Sequence, residues 1–362
     1  ILSDDAKFLK LYDDMSLPFQ IKGEDDFLKA ELRKCLTGRT GPEAEPSVKR
    51  RRAERSLSEE SLGSSSDWAH TEKAFCSGWV HAAVQWAPGH DGWVRLAYRW
   101  HAPPPKISGS VPLTLVCLHG SFCNGTWFDC LEPQEGQEVS PLPFCRCLVV
   151  DLPGHGASER VSPDVGQGAP ADLEGMAKAV AALLVQLNIP KRSWAMMGHS
   201  LGGAVALLVA RELEQTQPPR FFLSLEGTVS PLDCAVGGLA RKADSMQNPP
   251  SSEEVLGWVS GTAVWLLMAG RIGSSLGLLA HRVFKSLLRW IDGGELEIIQ
   301  KRFPLRYIYG STSGKLHEEN RRILDAHPDA RVSRIEGASH FMLSDKPTET
   351  MSAMSGLLEG LL

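Results

Sequence analysis

The sequence has no apolar run long enough to form a transmembrane helix. The best candidate, Gly257 to Gly270, is 14 residues long before Arg271 interrupts it, whereas about 20 residues are needed to cross roughly 30 Å of hydrocarbon. No secretory signal opens the chain, because Ile1 leads directly into an acidic, Lys-containing stretch. We therefore expect a cytoplasmic, intracellular protein. The missing initiator Met leaves open a processed form that has lost a leader, or a fragment.

The sequence also lacks a positive net charge and a cysteine framework. The formal net charge is −5, which argues against a nucleic-acid binder, since such domains are usually strongly basic. Eight cysteines in 362 residues are too few for a disulfide scaffold, and no pair has the spacing of a zinc site. Cys117, Cys145 and Cys147 fall within predicted strands, so we interpret them as buried, reduced side chains.

The composition changes near residue 75, which predicts an N-terminal extension over residues 1–77 and one domain over residues 78–362. Residues 37–67 are polar and of low complexity, with too little apolar surface to offset the entropy cost of ordering. The basic run Lys49 to Arg55 is interpreted as a solvated charge cluster, with a nuclear-import or anionic-surface patch as the alternative. Nothing in the sequence indicates an oligomeric state.

From Trp79 onward, short apolar runs alternate with helical periodicity. Two runs flank a Gly-containing tip and predict a β-hairpin. Strands that alternate with helices predict a parallel sheet covered on both faces, an α/β fold. The predicted strands cover residues 79–86, 93–100, 113–118, 145–150, 193–197, 221–225, 305–309 and 331–335; the predicted helices cover 171–187, 203–214 and 318–326, with a last one from about 348. Residues 228–300 break the alternation and are predicted to form a helical cap.

The strongest local motif is Gly198-His199-Ser200-Leu201-Gly202-Gly203. An apolar strand precedes it and an Ala/Val/Leu helix follows it, which is the context of a nucleophile elbow. The sharp turn would place Ser200 in a strained backbone conformation at a helix N-terminus, where the dipole favours developing negative charge. The alternative is a glycine-rich turn in which Ser200 only caps the helix.

Four motifs in this order resemble the α/β-hydrolase fold superfamily over residues 78–362. They are LHG at Leu118, DLPGHGAS at Asp151, GHSLGG at Gly198 and GASHF at Gly337. The resemblance implies a mostly parallel eight-stranded sheet flanked by helices, with a cap inserted after strand 6 at about residues 228–300. It also implies that Asp151, His155 and His119 are structural.

The resemblance assigns a catalytic base and leaves the acid to be found. His340, in the loop after the last strand, matches the family's catalytic His. Most of the family carries its acid after strand 7, but the segment Tyr309 to Gly314 has no carboxylate. Strand 6 ends at Glu226, and a buried carboxylate there needs a partner such as imidazolium. We therefore predict Glu226 as the acid, with Asp233 as the weaker alternative.

The remaining expectations concern the oxyanion and the substrate. The backbone N–H groups of Leu201 and Ser121 should form the oxyanion hole, with Phe122 replacing Ser121 if the loop is shifted. Ser at the elbow excludes the Asp-dependent dehalogenases and epoxide hydrolases. No metal and no organic cofactor are expected. The predicted cap is apolar, which favours a small-molecule ester with an apolar acyl or aryl group; its apolar residues, which are equally compatible with ordinary core, are Trp258, Trp265, Leu266, Leu267, Met268 and Trp290.

The sequence thus predicts a serine hydrolase acting on a carboxylic ester or thioester through an acyl-enzyme. Three alternatives stay open. The fold could carry a non-hydrolytic ligand-binding protein, the same triad could serve a lyase or acyltransferase, or the N-terminal extension could make the chain an interaction scaffold.

Overall fold

A computed structural model describes residues 78–87, 90–101, 113–121, 123–132, 141–142, 145–159, 172–227, 276–292, 294–313, 324–325, 327–359 and 361. Several sequence predictions lie outside these residues: the extension over 1–77, the larger part of the cap over 228–275, and most of the helix over 318–326. Phe122 and Asp233 also lie outside them, as do the cap residues from Trp258 to Met268.

The sheet has eight strands, in the spatial order β1-β2-β4-β3-β5-β6-β7-β8. Strands β1 and β2 form an antiparallel hairpin, β2 pairs antiparallel with β4, and all remaining neighbours are parallel. The mostly parallel eight-stranded sheet predicted from the sequence is confirmed. The strands are β1 (Gly78–Ala87), β2 (His90–Trp100), β3 (Leu113–Leu118), β4 (Cys145–Val150), β5 (Trp194–His199), β6 (Phe222–Leu225), β7 (Leu305–Gly310) and β8 (Ala330–Ile335).

Helices cover both faces of the sheet, so the central strands are buried on both sides. Every residue of β3, β5, β6 and β7 is buried, which explains why these strands read as continuous apolar runs instead of alternating patterns. The helices are α1 (Leu173–Gln186), α2 (Leu201–Leu213), α3 (Leu276–Asp292), α4 (Glu295–Gln300), α5 (Met342–Asp345) and α6 (Pro347–Leu358), together with a 3-10 helix (Gly125–Leu131).

Two apolar clusters form the core, one on each face of the sheet. The first joins α1, α2 and α3 to the sheet and contains Trp194 and Phe284. The second joins the 3-10 helix, α5 and α6 to the opposite face and contains Phe128. Cys117, Cys145 and Cys147 are buried and free within this second cluster, as the sequence predicted.

The described end of the predicted cap packs as an ordinary layer helix. The Ser286 hydroxyl of α3 accepts a hydrogen bond from the Leu173 N–H at the start of α1, at 3.2 Å. Trp290 is buried, and the Arg211 guanidinium of α2 lies 4.4 Å from the centre of its ring. Trp290, which the sequence analysis grouped with the apolar cap residues, therefore belongs to the core of the helical layer. Within the described part of the chain, no helix is long and apolar enough to cross a membrane.

Candidate active site

Ser200 occupies the sharp turn between β5 and α2, and its backbone is strained. Its φ is 52° and its ψ is −121°, a conformation that costs a non-glycine residue about 1–3 kcal/mol. The Ser200 N–H donates to the Leu225 carbonyl of β6 at 3.1 Å, which ties the turn to the neighbouring strand. The hydroxyl makes no capping hydrogen bond to the helix, so the geometry disagrees with the interpretation of Ser200 as a simple cap.

Glycines flank Ser200 because backbone segments meet at this turn. A Cβ on Gly198 would lie 2.5 Å from the backbone of Gly202. A Cβ on Gly202 would overlap the Leu118 carbonyl oxygen and lie 2.6 Å from the carbonyl oxygen of His119. The end of β5, the start of α2 and the loop after β3 are therefore packed backbone against backbone.

The loop after β3 places main-chain groups beside Ser200. A Cβ on Gly120 would lie 3.1 Å from the Ser200 Cβ, so Gly120, the residue before Ser121, borders the nucleophile. Leu201 is the first residue of α2, so its N–H has no carbonyl partner one turn earlier within the helix. Both predicted oxyanion-hole residues thus belong to segments that meet at Ser200.

His119 links the loop after β3 to the segment that follows β4. Its Nε2 accepts a hydrogen bond from the Leu152 N–H at 3.0 Å, and its Nδ1 lies 2.8 Å from the Gly120 carbonyl oxygen. Because Nε2 accepts, the proton is on Nδ1, which donates to Gly120. Burial lowers the pKa of His119 to about 4, so the ring is a neutral structural link, as the family resemblance implied.

Asp151, just after β4, anchors the opposite side of the loop. Its Oδ1 accepts from the Gly125 N–H at 2.6 Å, where the 3-10 helix begins, and its Oδ2 accepts from the Ala157 N–H at 2.8 Å. Both carboxylate oxygens are therefore committed to the backbone, which supports a structural role for Asp151.

Glu226 and His340 are in direct contact. The His340 Nδ1–H donates to Glu226 Oε2 at 2.6 Å. The Glu226 side chain is completely buried, whereas the His340 side chain is 32% exposed. Glu226 also has a positive φ of 45°, so two strained non-glycine residues, Ser200 and Glu226, follow directly after the adjacent strands β5 and β6.

The other carboxylate oxygen of Glu226 is held by two residues that are not among the predicted site residues. Its Oε1 accepts from the Gly310 N–H at 2.6 Å and from the Ser313 hydroxyl at 2.7 Å. Both donors lie in the segment Tyr309 to Gly314, whose sequence is distinguished by its lack of a carboxylate. Its small and hydroxyl-bearing residues were the available signal.

His199 was also missed as a site residue. Its Nε2 lies 2.9 Å from the His340 main-chain oxygen, and its ring centre lies 4.8 Å from those of both His340 and Trp127. Burial, and then the nearby His340 ring, lower the pKa of His199 to about 3. Its position within the GHSLGG motif gave no indication of this long-range contact.

The fold, the strained turn at Ser200 and the Glu226–His340 contact can be compared with those of known proteins. The model of the alpha/beta hydrolase family matches residues 115–353 of the chain. The chain belongs to the alpha/beta hydrolase family. The matched segment includes all of the candidate site residues described above.

The relatives that this chain resembles are named for different enzymes. This chain is 24% identical over 262 residues to the sn-1-specific diacylglycerol lipase ABHD11 of Mus musculus, and the match covers 67% of this chain and 80% of the lipase. It is 38% identical over 102 residues to the 2-succinyl-6-hydroxy-2,4-cyclohexadiene-1-carboxylate synthase of Pectobacterium atrosepticum. That match covers 27% of this chain and spans only 32% of the synthase.

Solved structures share the alpha/beta hydrolase fold at low identity. A thermophilic esterase from Thermogutta terrifontis superposes with a TM-score of 0.56 at 18% identity, covering 78% of this chain and 99% of the esterase. MenH from S. aureus superposes with a TM-score of 0.51 at 15% identity, covering 73% of this chain and 98% of MenH. These likenesses establish the fold.

The fold of this chain thus brings Glu226 into contact with His340 and places Gly120 beside Ser200. Among the described residues, no hydrogen bond joins the Ser200 hydroxyl to His340. Catalytic hydrogen bonds of this kind often shorten only when substrate binds. What the arrangement can do chemically is to hold one imidazole in a fixed tautomer through Glu226, and to hold a strained serine at a helix N-terminus beside the main chain of Gly120.

Proposed function

We propose that this alpha/beta hydrolase is a serine hydrolase that cleaves a carboxylic ester or thioester through an acyl-enzyme. Ser200 is the nucleophile, His340 the general base, and Glu226 the acid that orients the imidazole. The observation that carries the proposal is the 2.6 Å hydrogen bond between His340 Nδ1 and the buried Glu226 carboxylate, because it fixes the tautomer in which Nε2 can accept a proton.

The proposed reaction has two steps. In the first, His340 Nε2 takes the Ser200 proton while the Ser200 oxygen attacks the substrate carbonyl, and the alcohol or thiol leaves after receiving that proton. In the second, His340 takes a proton from water, the resulting hydroxide attacks the acyl-enzyme, and the carboxylic acid is released as the proton returns to Ser200. Glu226 stays ionised and offsets the charge of the imidazolium in both steps.

The oxyanion of each tetrahedral intermediate would be bound by the N–H groups of Leu201 and Ser121. The contact between Gly120 and Ser200 supports this assignment, since it brings the loop after β3 to the nucleophile. Main-chain donors held by a rigid fold need no reorganisation during the reaction, and the loss of one typically costs about 2.7–4 kcal/mol of transition-state stabilisation.

The substrate class follows from the apolar sequence over residues 257–270 together with the relatives. The apolar composition of that segment favours a substrate with an apolar acyl or aryl group. The relatives that are a diacylglycerol lipase and an esterase are consistent with a small-molecule ester. The proposed steps use only Ser200, His340, Glu226, main-chain amides and water, so no metal or organic cofactor takes part in them.

The proposal is tested by intact-protein mass spectrometry after reaction with a fluorophosphonate probe. We expect one adduct on the wild type, no adduct on Ser200→Ala, and a greatly slowed adduct on Glu226→Gln. Ser352 is an exposed serine of α6, so the variant Ser352→Ala is the matched control and should react normally with the probe. A folded wild type that does not react would instead favour a ligand-binding protein on the same fold.

A lyase or acyltransferase that uses the same triad is the second candidate, and the 38% identity over 102 residues with a Pectobacterium protein named as a synthase favours a reaction other than hydrolysis. Both reactions would use the same serine and imidazole, so labelling does not separate them. Product analysis does: an ester hydrolase incorporates one oxygen of ¹⁸O-labelled water into the released acid, whereas an elimination incorporates none.

A further inference from the structure

We propose that His199 is a positioning residue that orients His340 through a hydrogen bond from its Nε2–H to the main-chain carbonyl of His340. This inference rests on the proposed function, since it assigns His199 a purpose only if His340 is the base. The two residues are 141 positions apart in the chain, so the contact joins the end of β5 to the loop after β8.

The direction of the hydrogen bond follows from the groups involved. A main-chain carbonyl oxygen can only accept, so the His199 Nε2 that lies 2.9 Å from it must carry the proton. His199 is buried, and its other nitrogen, Nδ1, has no hydrogen-bond partner among the described residues. The imidazole is therefore neutral and in one tautomer, with a single directed donor that points at His340.

The His199 ring is itself held firmly. The Trp127 ring centre lies 4.8 Å from it, and the Phe341 ring centre lies 6.4 Å from it. A Cβ on Gly120 would lie 2.9 Å from His199 Nδ1, so the glycine backbone closes the space beside that nitrogen. An imidazole packed in this way has little rotational freedom. Its N–H therefore holds the His340 loop at a fixed position relative to β5.

His340 thus has two attachments to adjacent strands. Its side chain is bound by Glu226, which follows β6, and its carbonyl is bound by His199, the last residue of β5. One hydrogen bond at Nδ1 leaves the ring free to swing about that contact, whereas a second one on the backbone fixes the loop from which the side chain projects. In the proposed role, these two contacts together present His340 Nε2 to Ser200, the residue that follows His199.

The test compares substitutions of His199 that differ in shape and in donor reach. His199→Phe keeps a planar ring and removes the donor. His199→Gln carries an amide N–H near the position of Nε2, whereas the shorter His199→Asn does not reach the carbonyl. Turnover of p-nitrophenyl butyrate gives kcat and KM for each variant, and thermal unfolding checks that each is folded.

We expect His199→Phe and His199→Asn to lower kcat by roughly 10- to 100-fold with little change in KM, because a misplaced catalytic group loses that order of rate. His199→Gln should recover most of the loss. In a double substitution, His199→Phe should add less than its separate effect to Glu226→Gln, since both act through His340. His101 is a buried histidine whose N–H donates to the Cys147 carbonyl of β4. The variant His101→Phe is therefore the control and should leave kcat unchanged.

Each other result overturns the inference. Wild-type kcat in His199→Phe would show that the hydrogen bond is not needed. Equal losses in His199→Gln and His199→Asn would show that only packing matters, and this comparison decides the question even if His199→Phe does not fold. A wild type that neither turns over the ester nor reacts with a fluorophosphonate would overturn the proposed function, and this inference with it.

Discussion

The backbone N–H of Gly310 donates a hydrogen bond to Glu226 Oε1 at 2.6 Å. The residue at the end of β7 therefore holds the carboxylate that follows β6. The same glycine packs against the loop of His340, because a Cβ on Gly310 would overlap the Ala338 carbonyl oxygen and lie 2.5 Å from the Ser339 carbonyl oxygen. One backbone position thus contacts both the predicted acid and the loop of the predicted base.

We expect Gly310→Ala to destabilise the protein and to abolish reaction with the fluorophosphonate probe. The new methyl group would meet backbone atoms that cannot move without shifting the His340 loop, and overpacking of this kind typically costs about 1–3 kcal/mol. Urea denaturation and labelling rates measure the two effects. Gly356→Ala is the matched control: a Cβ there meets nothing within 4 Å on α6, so stability should be unchanged or rise by up to about 1 kcal/mol.

Ser313→Ala should slow acylation without unfolding the protein. The Ser313 hydroxyl donates to Glu226 Oε1 at 2.7 Å, and a hydrogen bond to a charged group contributes about 1.5–3 kcal/mol. Since Gly310 still binds the same oxygen, we expect a roughly 3- to 10-fold loss of the labelling rate. An unchanged rate would mean that the other contacts of Glu226, those with Gly310 and His340 among them, suffice to hold the carboxylate.

Ser200→Gly should be more stable than Ser200→Ala, although neither variant can form an acyl-enzyme. The φ of 52° at Ser200 is strained for any residue with a Cβ and open to glycine. Alanine keeps the strain while glycine relieves it, so we expect a difference of about 1–2 kcal/mol in the free energy of unfolding. Equal stabilities would show that the turn is not strained in solution.

The free energy of unfolding should fall as the pH is lowered below neutrality. Burial lowers the pKa of His101 and His119 to about 4, and the pKa of His155 and His199 to about 3. Because their unfolded pKa is near 6.5, the unfolded chain binds more protons between these values. The stabilisation is complete above pH 6.5 and is lost progressively toward pH 4, by up to about 1.4 kcal/mol per pH unit for each histidine.

Urea denaturation at pH 7.5 and pH 5.5 checks this pH dependence. In His155→Phe, which removes one buried imidazole, the loss of unfolding free energy between pH 7.5 and pH 5.5 should be smaller by about 1.4 kcal/mol in total, because the unfolded imidazole titrates midway between the two pH values. Equal free energies of unfolding at both pH values in the wild type would contradict the prediction.

The central strands β3, β5, β6 and β7 could be predicted from the sequence because buried parallel strands leave continuous apolar runs, and β1 and β2 because two such runs flank a Gly-containing hairpin tip. Glu226 could be singled out because a carboxylate at the end of a buried strand needs a partner, and the structure brings it to His340; the catalytic roles of both stay predictions. The contacts of Ser313 with Glu226 and of His199 with His340 could not be predicted. They join segments 87 and 141 residues apart, and loop closure over such distances leaves no periodic pattern.

Trp290 shows a second limit of sequence patterns. Its apolar neighbours were equally compatible with a substrate-lining cap and with ordinary core, since both need an apolar helix face. Only the position of α3 against α1, and of Arg211 over the Trp290 ring, distinguishes them.

The hydrogen bonds beyond the strand ends have a consequence for the order in which the candidate site forms during folding. The N–H of Ser200 is bound by β6, that of Glu226 by the Ile308 carbonyl of β7, and that of Ser311 by the Ile335 carbonyl of β8. A folding intermediate that has not yet docked β8 would leave His340 far from the elbow, however native the rest of the sheet. Reactivity toward a fluorophosphonate should therefore return later in refolding than secondary structure does, and a stopped-flow comparison with circular dichroism would measure the delay.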